Sequence, residues 1–129
     1  MITLADYWMG RDKKYPDAWS EEIEGNAIDL LDRVNALLAD FGEDRKVNSG
    51  WRPPEVNANT KGAAVKSKHM TGNAVDLDDP EGDLDDWCSA EDGLNLVPHG
   101  LYMEHPAATK GWCHLQNLPP KSGKRVFYP

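Results

Sequence analysis

The chain has little cysteine, little positive charge and no long apolar run. Its two cysteines, Cys88 and Cys113, allow one bridge at most, and two free thiols are the simpler expectation. Neither belongs to a Cys-x-x-Cys pair, so a zinc knuckle is excluded. Lys and Arg number 14 against 22 Asp and Glu, a formal net charge of −8. A surface this acidic repels phosphate backbones and makes nucleic acid a poor partner. No stretch approaches the roughly 18 apolar residues of a membrane-spanning helix. The start, Met1-Ile2-Thr3-Leu4-Ala5-Asp6, lacks a basic segment followed by an apolar one, so no secretory signal is visible. What the chain does have is five Trp among 129 residues. Large rings of that kind need burial, and the length fits a single domain over 1–129 with its core at about 20–128.

One helix is strongly written. Ser20 is placed to cap it, and Glu21, Glu22 and Glu24 suit the positive end of its dipole. Ile23, Ala27, Leu30, Val34, Leu37 and Phe41 recur in steps of four and three along one face, and Gly42 suits the C-cap. The N-terminal stretch to Ala18 shows no clear period. Lys46–Ser49 reads as a short strand, and Pro53-Pro54 opens a short helix to about Thr60. The stretch from Lys61 to Lys68 reads as a loop. Ala74–Asp78 alternates as a half-buried strand does, and a short helix is expected from Asp83 to about Ala90. Leu101–Glu104 and Trp112–Leu115 read as two strands joined through His105–Gly111, with Arg125–Tyr128 as a last edge strand.

Nine acids and no base lie from Asp76 to Asp92. An EF-hand loop needs glycine at its sixth position. Started at Asp76 that position is Glu81, and started at Asp78 it is Asp83. A solvated acidic face is the favoured reading over a calcium loop.

Three features share the chemistry of one metal site. His69 lies in a loop with six residues between it and Asp76, on the strand that follows, and His114 lies on a later strand. Catalytic zinc takes three nitrogen and oxygen ligands and leaves a fourth position for water. Two neutral imidazoles and one carboxylate leave that ion net positive, able to polarise a carbonyl and acidify water. Alternation turns Asp76 away from Val75 and Leu77, and turns His114 away from Cys113, which then packs in the core. Glu104, on a neighbouring strand, has the character of a general base. Arg52, after Gly50-Trp51, is a fixed cation suited to a substrate carboxylate or an oxyanion, and Gly72 permits a tight turn before Asp76. Tyr102 is left open between oxyanion donor and packing residue. His99 and His105 lie in no motif, although His99 has room to line the cleft.

The ordered set Ser49-Gly-Trp-Arg52, Ser67-x-His-x-x-Gly-x-Ala-x-Asp76, Glu104 and Trp112-x-His114 resembles the zinc D-Ala-D-Ala carboxypeptidases, family fifteen of the metallopeptidases, which share their fold with the hedgehog signalling domain. It is most similar to small single-domain phage endolysin-type and bacterial members. The resemblance implies an α+β fold with a small antiparallel sheet carrying the zinc site, packed against helices. It implies one zinc ion on His69, Asp76 and His114, Glu104 as base, Arg52 as a catalytic and substrate-binding residue, and Ser67 lining the site. Some relatives place an acid three residues before the last His; Gly111 stands there, so Glu104 carries the assignment. The implied activity is hydrolysis of peptidoglycan stem peptides, as a D,D-carboxypeptidase or an L-Ala-D-Glu type endopeptidase in phage-type wall lysis. The partner is then the peptidoglycan peptide, with no membrane insertion and a monomeric enzyme. It would be made in the cytoplasm and act at the cell wall or periplasm after release, or be carried on a virion. A zinc-stabilised binding module without turnover is the alternative. An iron(II) oxygenase triad is disfavoured because it usually has His-x-Asp on one strand.

Overall fold

The computed structural model describes all residues, 1–129. Five helices, α1 (Leu4–Trp8), α2 (Arg11–Lys14), α3 (Glu21–Phe41), α4 (Pro54–Ala58) and α5 (Asp83–Gly93), accompany five strands. The strands are β1 (Val47–Ser49), β2 (Ala74–Asp79), β3 (Tyr102–Glu104), β4 (Gly111–Gln116) and β5 (Val126–Phe127). They form one sheet in the order β1-β2-β4-β3-β5. The β1–β2, β2–β4 and β3–β4 pairs are antiparallel, and β5 adds a parallel edge beside β3. The expected α+β class, helices against a small sheet, is what is found.

The long helix forms where its period and caps predict. Ser20 Oγ accepts the amide hydrogen of Ile23, and Gly42 closes the far end in the left-handed region at φ +93°. Its buried face, Ala27, Leu30, Leu31, Val34, Leu37 and Leu38, joins Val75, Leu77, Met103, Cys113 and Leu115 from the sheet in one hydrophobic core. Strand alternation holds as well: Val75 and Leu77 are fully buried in that core, whereas Asp76 and Asp78 are partly exposed.

Two N-terminal helices depart from the expectation of an unpatterned start. Thr3 and Asp6 form a reciprocal capping box on α1. The helix is too short to show a period, but it delivers Tyr7 and Trp8 to the core, which therefore begins at Ile2 rather than near residue 20. Tyr7 is a keystone for the sheet: its hydroxyl donates to Ala74 O at 2.8 Å, and its own carbonyl accepts from Trp51 N at 3.1 Å. Gly50 fits against it only because it lacks a side chain, since a Cβ there would stand 2.0 Å from Tyr7 O.

Regular helical dihedrals in α5 end near Ala90, where expected, and the remaining turn is kinked through Glu91 and Asp92 at positive φ. The acidic stretch is partly structural. Asp79 is buried, and its carboxylate accepts the amide hydrogens of Leu84 and Asp85 at 3.0 and 2.8 Å, satisfying the first turn of α5. Arg45 Nε lies 3.6 Å from the same carboxylate.

Candidate metal centre and cleft

The site starts at a tight turn. Ser67 caps the 3-10 turn Lys68–Thr71 by accepting from His69 N at 3.2 Å, and Gly72 ends it at φ +79°. That conformation admits glycine readily, and a Cβ would also meet Ile23 O at 2.6 Å. The turn buries His69 beside β2. In the β2–β4 ladder Asp76 stands directly opposite His114. Asp76 Oδ1 lies 2.9 Å from His114 Nδ1, and Oδ2 lies 3.3 Å from His69 Nε2. One nitrogen or oxygen from each of the three residues falls within 4.8 Å of the others.

The far nitrogen of each imidazole is already used. His69 Nδ1 lies 2.8 Å from the Gly50 carbonyl, which can only accept, so Nδ1 carries the proton and Nε2 offers its lone pair inward. His114 Nε2 lies 2.8 Å from Gln116 Oε1. Gln116 donates its amide to Leu118 O at 2.7 Å, which turns Oε1 toward the ring and leaves His114 Nδ1 for the cleft. Imidazole ligands of metals are oriented in this manner by acceptors behind them. Two inward lone pairs and one carboxylate fit a divalent ion with nitrogen and oxygen preference, zinc foremost.

The electrostatics follow from this packing. Burial pushes the His69 pKa down, more strongly than its Asp76 contact raises it. Burial also opposes charge on His114, but the hydrogen bond and charge of Asp76, with Glu104 and Gln116, outweigh it and leave that pKa raised. Asp76 is itself held well below the usual carboxylate range: burial disfavours its charge, and the hydrogen bonds from His114 and His69 overcome that.

Glu104 reaches the same place from β3, with Oε1 3.9 Å from His114 Nδ1. Arg52 donates its backbone N–H to His69 O at 3.1 Å and Nη2 to Ser67 Oγ at 3.2 Å. Ser67 thus both lines the cleft and braces Arg52 against the His69 turn. All six residues singled out from the sequence line one cleft of about 760 Å³, with Trp112 and Phe127 among its walls. Cys113 points the other way and is fully buried, as is Cys88, and both are free thiols. Tyr102 packs beneath the Arg125 guanidinium at 4.3 Å and does not line the cleft. Nor does His99, whose Nε2 pairs with Asp40 at 2.6 Å. His105 stacks on Tyr128 at 4.4 Å. Sequence reasoning missed the Gly50 carbonyl, Gln116 and Arg11. Only Gln116 left a signal, since it lies two residues beyond His114 and so shares its strand face.

The family model for peptidase M15 matches residues 11–116. That span runs from α2 to the last residue of β4 and contains every residue of the cluster. The chain belongs to the peptidase M15 family. It is therefore a metallopeptidase, and the family points to zinc and to peptidoglycan. Comparison with curated proteins and with solved structures finds no match. As an M15 peptidase the chain acts on a peptide substrate, and none of its helices is long and apolar enough to cross a membrane.

Proposed function

We propose that this M15 peptidase hydrolyses peptide bonds in peptidoglycan stem peptides, using one zinc ion held by His69, Asp76 and His114. The observation that carries the reading is the convergence of three donor atoms within 4.8 Å while each outer ring nitrogen is satisfied elsewhere. The resemblance to small phage endolysin-type members supports a role in wall lysis, with the enzyme released to the wall after synthesis. The bond cut is then that of a D,D-carboxypeptidase or of an L-Ala-D-Glu type endopeptidase.

Zinc bound there supplies a Lewis acid that polarises a carbonyl oxygen and lowers the pKa of water. Glu104, partly exposed in the cleft and beside His114, accepts a proton from the attacking water. The water oxygen bonds to the carbonyl carbon, the carbon–nitrogen bond breaks, and Glu104 returns the proton to the leaving amine. Arg52 keeps a charged guanidinium in the cleft, braced on Ser67, to bind a substrate carboxylate or the developing oxyanion. Ser67 contributes through that brace and through the cap on the His69 turn.

The test is purified, zinc-loaded protein on isolated murein sacculi. New free amino groups are expected, and fragment masses name the bond. Glu104→Gln should slow their release by about 10²–10⁴-fold while zinc content stays the same. Release that is equal in wild type and Glu104→Gln would remove the base from the mechanism. No release at all, with zinc bound stoichiometrically, would favour a zinc-stabilised binding module instead.

A further inference from the structure

The charge in the cleft runs against that of the molecule. Over the whole chain acids outnumber bases by 22 to 14. The cleft is lined by six bases, Arg11, Arg52, Lys61, Lys66, Lys68 and Lys121, and by only two acids, Asp76 and Glu104. Both of those acids belong to the metal centre. None of the six bases forms an ion pair with a carboxylate of the protein; among all 14 Lys and Arg only Arg33 and Arg45 do, so what sets the cleft apart is that its bases gather with so few acids. In a chain with surplus acid, six unpaired cations around one cavity call for an anionic partner from outside.

Arg11 is the informative member. It lies in α2, far in sequence from every motif residue, and donates Nη1 to the carbonyl of Trp51 at 3.0 Å. Trp51 directly precedes Arg52, so the two guanidiniums are held from adjacent backbone positions beside one cavity. Arg52 Nε is buried there with no hydrogen-bond partner, and Arg11 keeps donors free beyond its single tether. Two like charges with spare forked donors suit two carboxylate oxygens, or two carboxylates, better than they suit each other.

We propose that Arg11 is a substrate-binding residue of this cleft. With Arg52 and the rim lysines it makes the enzyme prefer peptides with two or more free carboxylates over the same peptides amidated at one of them. This rests on the peptidase reading above. It deepens that reading by naming the substrate charge the cleft selects and a residue outside the known motifs that selects it. Amidation changes neither shape nor length appreciably but removes one full charge. It is therefore the modification such a cleft is built to sense.

The test compares L-Ala-γ-D-Glu-L-Lys-D-Ala-D-Ala with the same peptide carrying the D-Glu α-carboxyl as its amide. Zinc-loaded wild type should show a KM about tenfold lower for the dicarboxylate peptide, the scale of one charge-assisted hydrogen bond. In Arg11→Gln that ratio should fall toward one with kcat retained. In Lys66→Gln, an exposed loop position, it should fall by about twofold. Salt at about 0.5 M should also compress the wild-type ratio, because the Debye length shrinks to a few ångströms. A purely structural role for the Arg11–Trp51 bond predicts something else: both KM values shift together and the ratio stays. That outcome, or a wild-type ratio near one, overturns the proposal. If Arg11→Gln does not fold, Arg11→Lys, which keeps a cation but loses the forked donors, decides by the same ratio: it should fall severalfold, and an unchanged ratio overturns the proposal. If neither peptide is cleaved, the peptidase reading fails separately. Calorimetric titration of both peptides into metal-free protein then judges this proposal, and equal affinities would end it.

Discussion

Gln116 shows how much of a metal centre lies behind its ligands. Its amide is turned by Leu118 O, and its oxygen then fixes which nitrogen of His114 carries the proton. Without that acceptor the ring is free to rotate or to change tautomer, and Nδ1 is no longer held toward Asp76. Gln116→Leu should therefore weaken zinc affinity by about 10–100-fold with the fold retained. Competition with a chromogenic chelator measures this, and Gln116→Glu, which keeps an acceptor, should recover most of the loss. Unchanged affinity in Gln116→Leu would show that packing alone orients His114. The difference between the ligands and their supports also marks what a sequence tells at this scale. His69, Gly72 and Asp76 sit within one ten-residue motif whose residue types carry the chemistry. The Gly50 carbonyl that holds His69 is a backbone atom 19 residues away. Any residue has such a carbonyl, so no residue type announces it.

Among the elements, those with a long period or a clear alternation were legible, and the short ones were not. The 21 residues of α3 repeat their apolar face often enough to be unmistakable. β2 and β4 alternate cleanly, and that alternation alone puts Asp76 and His114 on the opposite face from Leu77 and Cys113. The five residues of α1 and the four of α2 hold about one turn each, too few to repeat a face; the Thr3–Asp6 capping box belongs to α1 alone, and α2 has no side-chain cap. The junction of α5 with β4 has a titration of its own. Asp85 is buried, accepts from Thr109 Oγ1 at 2.8 Å, and meets Cys113. Burial pushes its pKa up to about 6; the Thr109 and Cys113 hydrogen bonds oppose this, and the Asp79 and Asp86 charges add to it. An unfolded Asp ionises near 4, so between roughly pH 4 and 6 the folded chain keeps a proton that the unfolded chain has lost. The resulting stabilisation is complete below about pH 4 and is lost as pH rises through 6. Asn in that place never ionises. Asp85→Asn should then melt higher than wild type at pH 8, and the gain should vanish by pH 4, as followed by circular dichroism. A gain independent of pH would place its origin outside this carboxyl.

At the scale of the whole molecule, the count of charges was legible but their arrangement was not. A net charge of −8 correctly describes the chain, yet the six bases of the cleft come from positions 11 to 121 and gather only on folding. The same holds for the ligands, and this gives the metal a structural consequence beyond catalysis. His69 belongs to the turn at 68–71, Asp76 to β2 and His114 to β4, so one ion ties three elements that the unfolded chain keeps 38 residues apart between Asp76 and His114 alone. Zinc that binds only the folded chain stabilises it by about 4 kcal/mol when its free concentration is about 1,000 times Kd. For a chain of this size that is on the order of 10 °C in Tm. Chelation should lower Tm by that amount and re-addition should restore it. In His69→Ala, added zinc should move Tm little, because two donors remain. Protons compete for both imidazoles, so the zinc-dependent part of Tm should shrink on acidification and be absent where His69 and His114 are fully protonated. A zinc response in His69→Ala equal to that of wild type would mean that the stabilising ion sits elsewhere. The three side chains would then be no more than a buried His–Asp–His hydrogen-bond network.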